Sequence, residues 1–502
     1  MKKILIVLAA VALTFSCEDA TEIIQPGELG AGNAFANVDD LKTGVFAVYN
    51  GVNTDNEIAF TAIFTDEAAV GRVGGSGGAL HGYALNPNTG FASTIWVNNY
   101  GAILDANVLL AAAEDIVPAD AAEQAIYDEA VAETLTIRAF AHSKLLSYYG
   151  VDLADDSSLG VINVDFVASP GDVLPRNTVG EVLDFINDDL DRAEALFLSA
   201  GTNSSQTFID ERFVRALRAR MALYNKDYPA AVAAANSVLA DYTLPATASE
   251  DDYRAIWQDI AGSGENEIIF KLEQTLNNTA RPGQIFNTNR SDFEGAVNFE
   301  MSRNLFNSVQ ADFEAFGDIR RPVFIDPTSV ISPDYSAEAN PRTGDVLVVD
   351  KYPGDPSLAG LVAGYTNDLK VMRVVEMHFI LAEAAAAGNN LTEAARQIKI
   401  VQDARFTTQT AAPVYGSQTE AFSDILAERK IELFAEGHRY IDIKRIGELA
   451  NQGYDRNEID CTLYPAPECD LSFNDFRTQT LPIPSDEIRA NAAIADQQNP
   501  GY

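Results

Sequence analysis

Apolar residues recur at helical spacing over most of the chain. Residues 38–54 place Leu41, Val45, Val48 and Tyr49 on one face, and residues 90–113 repeat the pattern with Trp96, Tyr100, Ile103 and Asn107. The same period predicts a long helix over 121–149 and further helices over 178–198, 209–225, 229–240, 370–387, 391–405, 419–436 and 439–450. Strand signals are short: EIIFKL at 267–272 and DVLVVD at 345–350. The intervening connections at 66–91, 151–177, 241–266, 275–300 and 321–369 are long and rich in Gly, Asn, Ser and Pro. Connections of that length inside a packed protein tend to carry function.

Two helical segments repeat each other. In ALYNKDYPAAVAAANSVL a helix ends near Tyr224 and a polar turn leads to Tyr228 and Ala231; in LAEAAAAGNNLTEAARQI a helix ends near Ala387 and a turn leads to Leu391 and Ala394. Small alanines let paired helices approach closely, as in a tetratricopeptide (TPR) hairpin. Such a hairpin cannot bury its apolar face alone, so several are expected to stack into a scaffold.

The amino terminus reads as an address. Met1-Lys2-Lys3 precedes an apolar run from Ile4 to Leu13, and T-F-S-C ends at Cys17. The run is too short to span a bilayer and suits a signal peptide over 1–16, with lipidation expected at Cys17, a tether over 17–36 and one domain over 37–502. Thr14 stands where such lipidation signals usually carry Leu. Composition is ordinary for a globular protein, at 47% hydrophobic and 22% charged, but the balance of 35 Lys plus Arg against 73 Asp plus Glu gives −38. That surface repels nucleic acid and anionic membranes. With Cys17 lipidated, Cys461 and Cys469 remain in C-T-L-Y-P-A-P-E-C. In an oxidising compartment they are expected to form a disulfide. No metal site or cofactor is implied.

The segment ERKIELFAEGHRYIDIKRIGEL, Glu428 to Leu449, packs ten charged residues and His438 into 22 positions. Phe422, Ile425, Leu426, Arg429 and Leu433 form an inward stripe, Gly437 is placed to end the helix, and Tyr440, Ile443 and Ile446 continue inward. Charges fall on both faces, so some are buried and need partners. Glu428, Glu432 and Glu436 are expected to meet Arg429, Lys430, Arg439 and Arg445 in a closed network. The H-E-x-x-H spacing of a metalloprotease helix is absent, and the segment reads as scaffold.

That segment resembles the signature of the SusD/RagB outer-membrane lipoproteins of Bacteroidetes. ETLTIRAFAHSKLLSYYG (133–150), PRNTVGEVLDFINDDLDRA (175–193), LKVMRVVEMHFILAEAAAAGNN (369–390), LPIPSDEI (481–488) and QQNPGY (497–502) are similar to other parts of that family. Glu18 and Asp19 resemble its surface-export signal. The resemblance implies a mostly α fold in which TPR-like hairpins pack against an irregular, loop-rich region with a few short strands. The signature part would cover about 370–502. It also implies a lipid-anchored outer-membrane protein facing the cell exterior, which captures glycan and hands it to a SusC-like TonB-dependent transporter.

Sugar rings lay apolar CH faces on aromatic rings, and their hydroxyls need planar polar partners. Ligand contacts are therefore expected from Asp66, Arg72, His81, Tyr83, Trp96 and Asn99 in and after the first long loop, which holds GGSGG at 74–78. Phe286, Asn289 and Arg290 in the 281–299 stretch, with Phe293 and Phe299 nearby, form a second set. Trp96 also shares a stripe with Tyr100 and Ile103, which fits a core role equally well. With two tryptophans in the chain, stacking platforms are few, which keeps peptide open as the cargo. No local motif proposes the paired carboxylates of a glycosidase, and no enzymatic activity is expected.

Overall fold

The computed structural model describes residues 35–71, 77–201, 205–277, 281–287, 297–327, 329, 347–358, 363–461 and 469–502. The signal peptide, Cys17, Arg72, Asn289, Arg290 and Phe293 lie outside the described residues.

The main helices are α1 Val38–Gly51, α2 Asp55–Phe64, α3 Gly90–Ala113, α4 Ala121–Tyr149, α5 Val179–Ala200, α6 Glu211–Tyr224 and α7 Tyr228–Val238. They continue as α8 Glu250–Trp257, α9 Arg303–Phe316, α10 Val374–Ala387, α11 Leu391–Asp403, α12 Gln418–Glu432 and α13 Arg439–Ala450. Strands are short: β1 Ala68–Val70 pairs antiparallel with β3 Phe299–Met301, and β2 Ile268–Leu272 with β4 Leu369–Arg373. Successive helices pack as neighbours, α3 on α4, α4 on α5, α6 on α7, α10 on α11 and α12 on α13, with α7 against α10. One hydrophobic cluster runs from Leu41 to Ile494.

The two repeated sequences fold alike. Lys226 and Asn389 each adopt left-handed backbone, with φ of 62° and 57°. The next residue then caps the following helix: Asp227 accepts from the Ala230 amide at 3.1 Å, and Asn390 from the Glu393 amide at 3.3 Å. Ala231, Ala235 and Ala394 are fully buried, so the helices meet at their smallest residues. Ion pairs stitch the stack: Arg138 donates to Asp189 between α4 and α5, and Arg220 to Glu376 between α6 and α10 through two 2.6 Å bonds.

Four local readings need correction. The helix expected over 370–387 begins at Val374, because residues 369–373 are buried on both sides and pair with β2. The helix expected over 419–436 stops at Glu432. Of the strand expected at 345–350, residues 347–350 are described, and among them only Val349 makes a ladder contact, an isolated bridge to Ile325. Helix α2 carried no periodic signal because Glu57 through Phe64 are buried all round.

Candidate functional site

The charged segment is scaffold, and its partners come from far away in the chain. Glu432 is fully buried and accepts from Arg405 at 3.0 Å, Arg373 at 2.8 Å, Arg320 at 3.3 Å and the Tyr253 hydroxyl at 3.2 Å. Glu436 takes Arg373 and Lys351, each at 2.7 Å. Glu428 takes Arg320, which also donates to Asp318. On the opposite side Arg429 pairs with Asp442 at 2.7 Å, and Arg445 with Glu383 at 2.9 Å and Asp442 at 3.0 Å. Lys430 and Arg439 converge on Asp66 at 2.7 and 2.8 Å. The closed network exists, but Glu428, Glu432 and Glu436 pair with residues 320, 351, 373 and 405 and not with the neighbouring cations. Helical spacing identified charges needing partners; only the packing chose them.

These environments account for the titration behaviour. Burial pushes the Glu432 carboxyl up, and three arginines reverse this and hold it well below the usual range. Burial likewise opposes ionisation of Asp442, but Arg429 and Arg445 bring it down to about 2. His438 is pushed down to about 4, chiefly by burial. A neutral imidazole in a shell of satisfied ion pairs is a structural group.

The turn between α12 and α13 is held by its carbonyls. Lys351 Nζ donates to Phe434 O at 2.7 Å and Glu432 O at 3.2 Å, Tyr352 to Ala435 O at 2.9 Å, and Tyr148 to Gly437 O at 3.2 Å. Ala435 and Gly437 both have positive φ, 58° and 85°, within the turn that follows the helix end at Glu432, four residues earlier than the sequence indicated.

The ends of the long connections gather in one patch. Gly71 donates to Asn298 O at 2.8 Å beyond the β1–β3 ladder. Asn287 bridges Val297, and its side-chain amide donates to Val349 O at 3.0 Å. The Leu347 amide donates to Glu300 at 3.2 Å, and the Arg303 amide to Asp460 at 2.9 Å. Cys461 and Cys469 are joined as a disulfide with Cα atoms 5.7 Å apart. Residues flanking 72–76, 288–296, 330–346 and 462–468 are thus tied together. A Cβ at Gly71 would lie 2.5 Å from Val297 O, and one at Gly77 would lie 2.8 Å from the Phe299 ring. The ends of the glycine-rich stretch therefore need glycine for close approach.

Arg456 was not singled out by any sequence signal. Its guanidinium donates to Phe64 O and Thr65 O, both at 2.7 Å, and to His81 O, while lying 4.1 Å over the Tyr83 ring. One buried arginine so fixes both described arms of the first loop.

Six of the expected ligand residues are described, and all six are buried with structural partners. Asp66 holds Arg439 and Lys430. His81 offers its carbonyl to Arg456. Tyr83, with φ of 60°, donates to Cys469 O at 3.1 Å. Trp96 is 3% exposed, wedged between Tyr100 and Tyr149 at 4.8 and 4.9 Å between ring centroids. Asn99 donates to Ile95 O at 2.7 Å, and Phe286 packs on Phe434 at 5.9 Å. None of the three aromatic rings offers an open face for a sugar. Asp66 borders an open cleft of about 540 Å³, which Lys430, Arg439, Asn304, Asp455 and Asp470 also line. Trp257 is fully buried beneath Lys351, 4.2 Å from the ring centre. Among the described residues no group of His, Cys, Asp or Glu is arranged to hold a metal ion, and no helix is long and apolar enough to cross a membrane.

Comparison with known proteins places this arrangement. Residues 332–502 match the family model described as SusD family, and residues 28–223 match the one described as starch-binding associating with outer membrane. A SusD-like protein of Formosa agariphila is 25% identical over 100% of both chains, and a second from the same organism is 22% identical over 72% of this chain and 73% of its own. Among solved structures, a SusD superfamily protein from Bacteroides vulgatus superposes with a TM-score of 0.73 at 21% identity, covering 93% of this chain and 100% of that one. A structure described as a putative sugar binding protein, also from Bacteroides vulgatus, gives a TM-score of 0.73 at 20% identity, with 93% and 99% coverage.

Proposed function

Because the chain belongs to the SusD/RagB family, we propose that it is a surface lipoprotein of the outer membrane, anchored through Cys17, that captures oligosaccharide and passes it to a SusC-like TonB-dependent transporter. The observation that carries this reading is the match of the amino-terminal 28–223 region to an outer-membrane starch-binding model. Two features support it. The acidic surface, with a net charge of −38, is suited to neutral glycans and repels nucleic acid. The tied loop ends give the 72–76, 288–296, 330–346 and 462–468 stretches a fixed base, which is how binding residues are held in register. The binding act is non-catalytic, and Cys17, the preceding signal peptide and one domain over 37–502 belong to the same proposal.

Burial of both tryptophans, Trp96 and Trp257, favours a second reading in which the cargo is peptide. Glycan-array and peptide-library binding by the mature protein separates the two. Retention of neutral oligosaccharides supports the first reading; retention of peptides without any glycan replaces it with the second. Release of shortened products from the retained glycan above background would show an enzyme.

A further inference from the structure

Helix α1 buries Leu41, Val45 and Val48, yet Phe46 sits off that stripe and is 54% exposed. It is not isolated. Its ring lies 6.1 Å from Phe208, edge to face at 67°, and Phe208 lies 6.1 Å from Tyr49 at 85°. The three rings border a cleft of about 390 Å³ between α1, the 207–208 turn before α6, and residues 272–275 after β2. That volume is within the range, roughly 300–1,000 Å³, of small-molecule sites.

The cleft is rigid where it needs to be. The Tyr49 hydroxyl accepts from the Ile209 amide at 2.7 Å, and its ring lies 6.1 Å from that of Phe270. The Gln274 amide is held by Asp368 at 2.8 Å. Asn53 is fixed by its Oδ1, which accepts from the Asp55 amide at 2.8 Å, leaving its Nδ2 to face other partners. Asn50 is exposed one turn beyond Phe46. Among the described residues no Lys or Arg lines the cleft, and Glu273 is the one ionisable rim residue besides Tyr49.

We propose that this cleft binds one pyranose ring of a neutral oligosaccharide, with Phe46 and Phe208 meeting its CH face and Asn50, Asn53 and Gln274 meeting its hydroxyls. Aromatic faces beside planar amides match a ligand that is apolar on one side and hydroxylated at its edge. The lack of basic residues among the described lining disfavours a carboxylate or sulfate sugar and an acidic peptide. The inference rests on the glycan-binding reading but places a subsite between α1, the 207–208 turn and residues 272–275, none of which is among the tied loop ends.

The test is a titration of protein labelled with 4-fluorophenylalanine, followed by fluorine NMR, with Phe46 and Phe208 assigned from Phe46→Leu and Phe208→Leu spectra. The probes are malto-, cello-, laminari- and xylo-hexaose, with hexagalacturonate as the charged control, and calorimetry runs in parallel. At least one neutral probe is expected to shift both resonances saturably, and hexagalacturonate neither. Phe46→Ala is expected to weaken that probe roughly three- to tenfold, the size of one aromatic contact. Because Phe46 is half exposed, this variant is expected to keep the wild-type melting temperature, which separates lost binding from lost fold. Calorimetric binding that leaves both fluorines unmoved overturns the subsite while the glycan reading stands. Shifts with hexagalacturonate alone overturn the neutral class. No binding of any neutral probe, by either readout, removes both.

Discussion

At the residue scale, the least comfortable group is Glu67. It is buried next to Asp66, and burial first, then the Asp66 charge, push its carboxyl up to about 8. A carboxyl whose folded pKa lies above its unfolded value binds more protons folded than unfolded, so its contribution to stability falls as pH rises between about 4.5 and 8. Glu67→Gln is expected to flatten the melting temperature across that window, measured against wild type by scanning calorimetry. Asp66 is the opposite case. Removing its charge with Asp66→Ala leaves Arg439 and Lys430 buried and unpaired, and is expected to cost about 3–5 kcal/mol in denaturant unfolding. Sequence marked Asp66 as a ligand residue because an aspartate beside a long loop has that chemistry. Its actual partners lie more than 360 positions away, which no local pattern encodes.

At the element scale, α12 and its turn define how the C-terminal half is held. Reading the sequence located both helices of the signature and their inward stripes, since these depend on periodicity within one segment. It misplaced the end of α12 because Gly437 is a strong terminator in isolation, whereas Lys351, Tyr352 and Arg373 draw off the carbonyls of Glu432, Phe434 and Ala435 first. Replacing Lys351 by Met keeps the stem but removes donors to two buried carbonyls and one of the two cationic partners of Glu436. The expected result is a loss of about 3 kcal/mol or more in stability, with hydrogen exchange accelerating first in 433–438. Gly437→Ala, at φ of 85°, is expected to cost about 1 kcal/mol or more through backbone strain alone.

At the scale of the whole molecule, opposing titrations set a stability maximum on the acid side of neutral. Glu67 and Glu133 are pushed up to about 8 and Asp55 to about 6, in each case chiefly by burial, so deprotonation above pH 5 works against the fold. Glu376 and Asp442 are held near 2 by arginines despite burial, so their contribution is present above about pH 4.5 and lost as pH falls towards 2. The net charge of −38 at pH 7 adds self-repulsion in the same direction as the first group. These carboxyls are expected to make the melting temperature higher at pH 5 than at pH 8, an effect partly offset because burial holds the His142 and His438 imidazoles down to about 3 and 4 and Lys444 down to about 7, and the melting temperature is expected to fall steeply below pH 4. Reducing the Cys461–Cys469 bridge removes an entropic constraint of roughly 2–3 kcal/mol on the chain-entropy model, a difference measurable by unfolding with and without reductant. What the sequence alone determined is the helical frame: periods of apolar residues, alanine contacts and turn-capping Asp227 and Asn390 are local, and local information suffices for them. What only the tertiary structure decided is which polar groups are available. Trp96, Tyr83 and Asp66 are consumed by partners distant in sequence, while Phe46, off the buried stripe of its helix, is left half exposed beside Phe208.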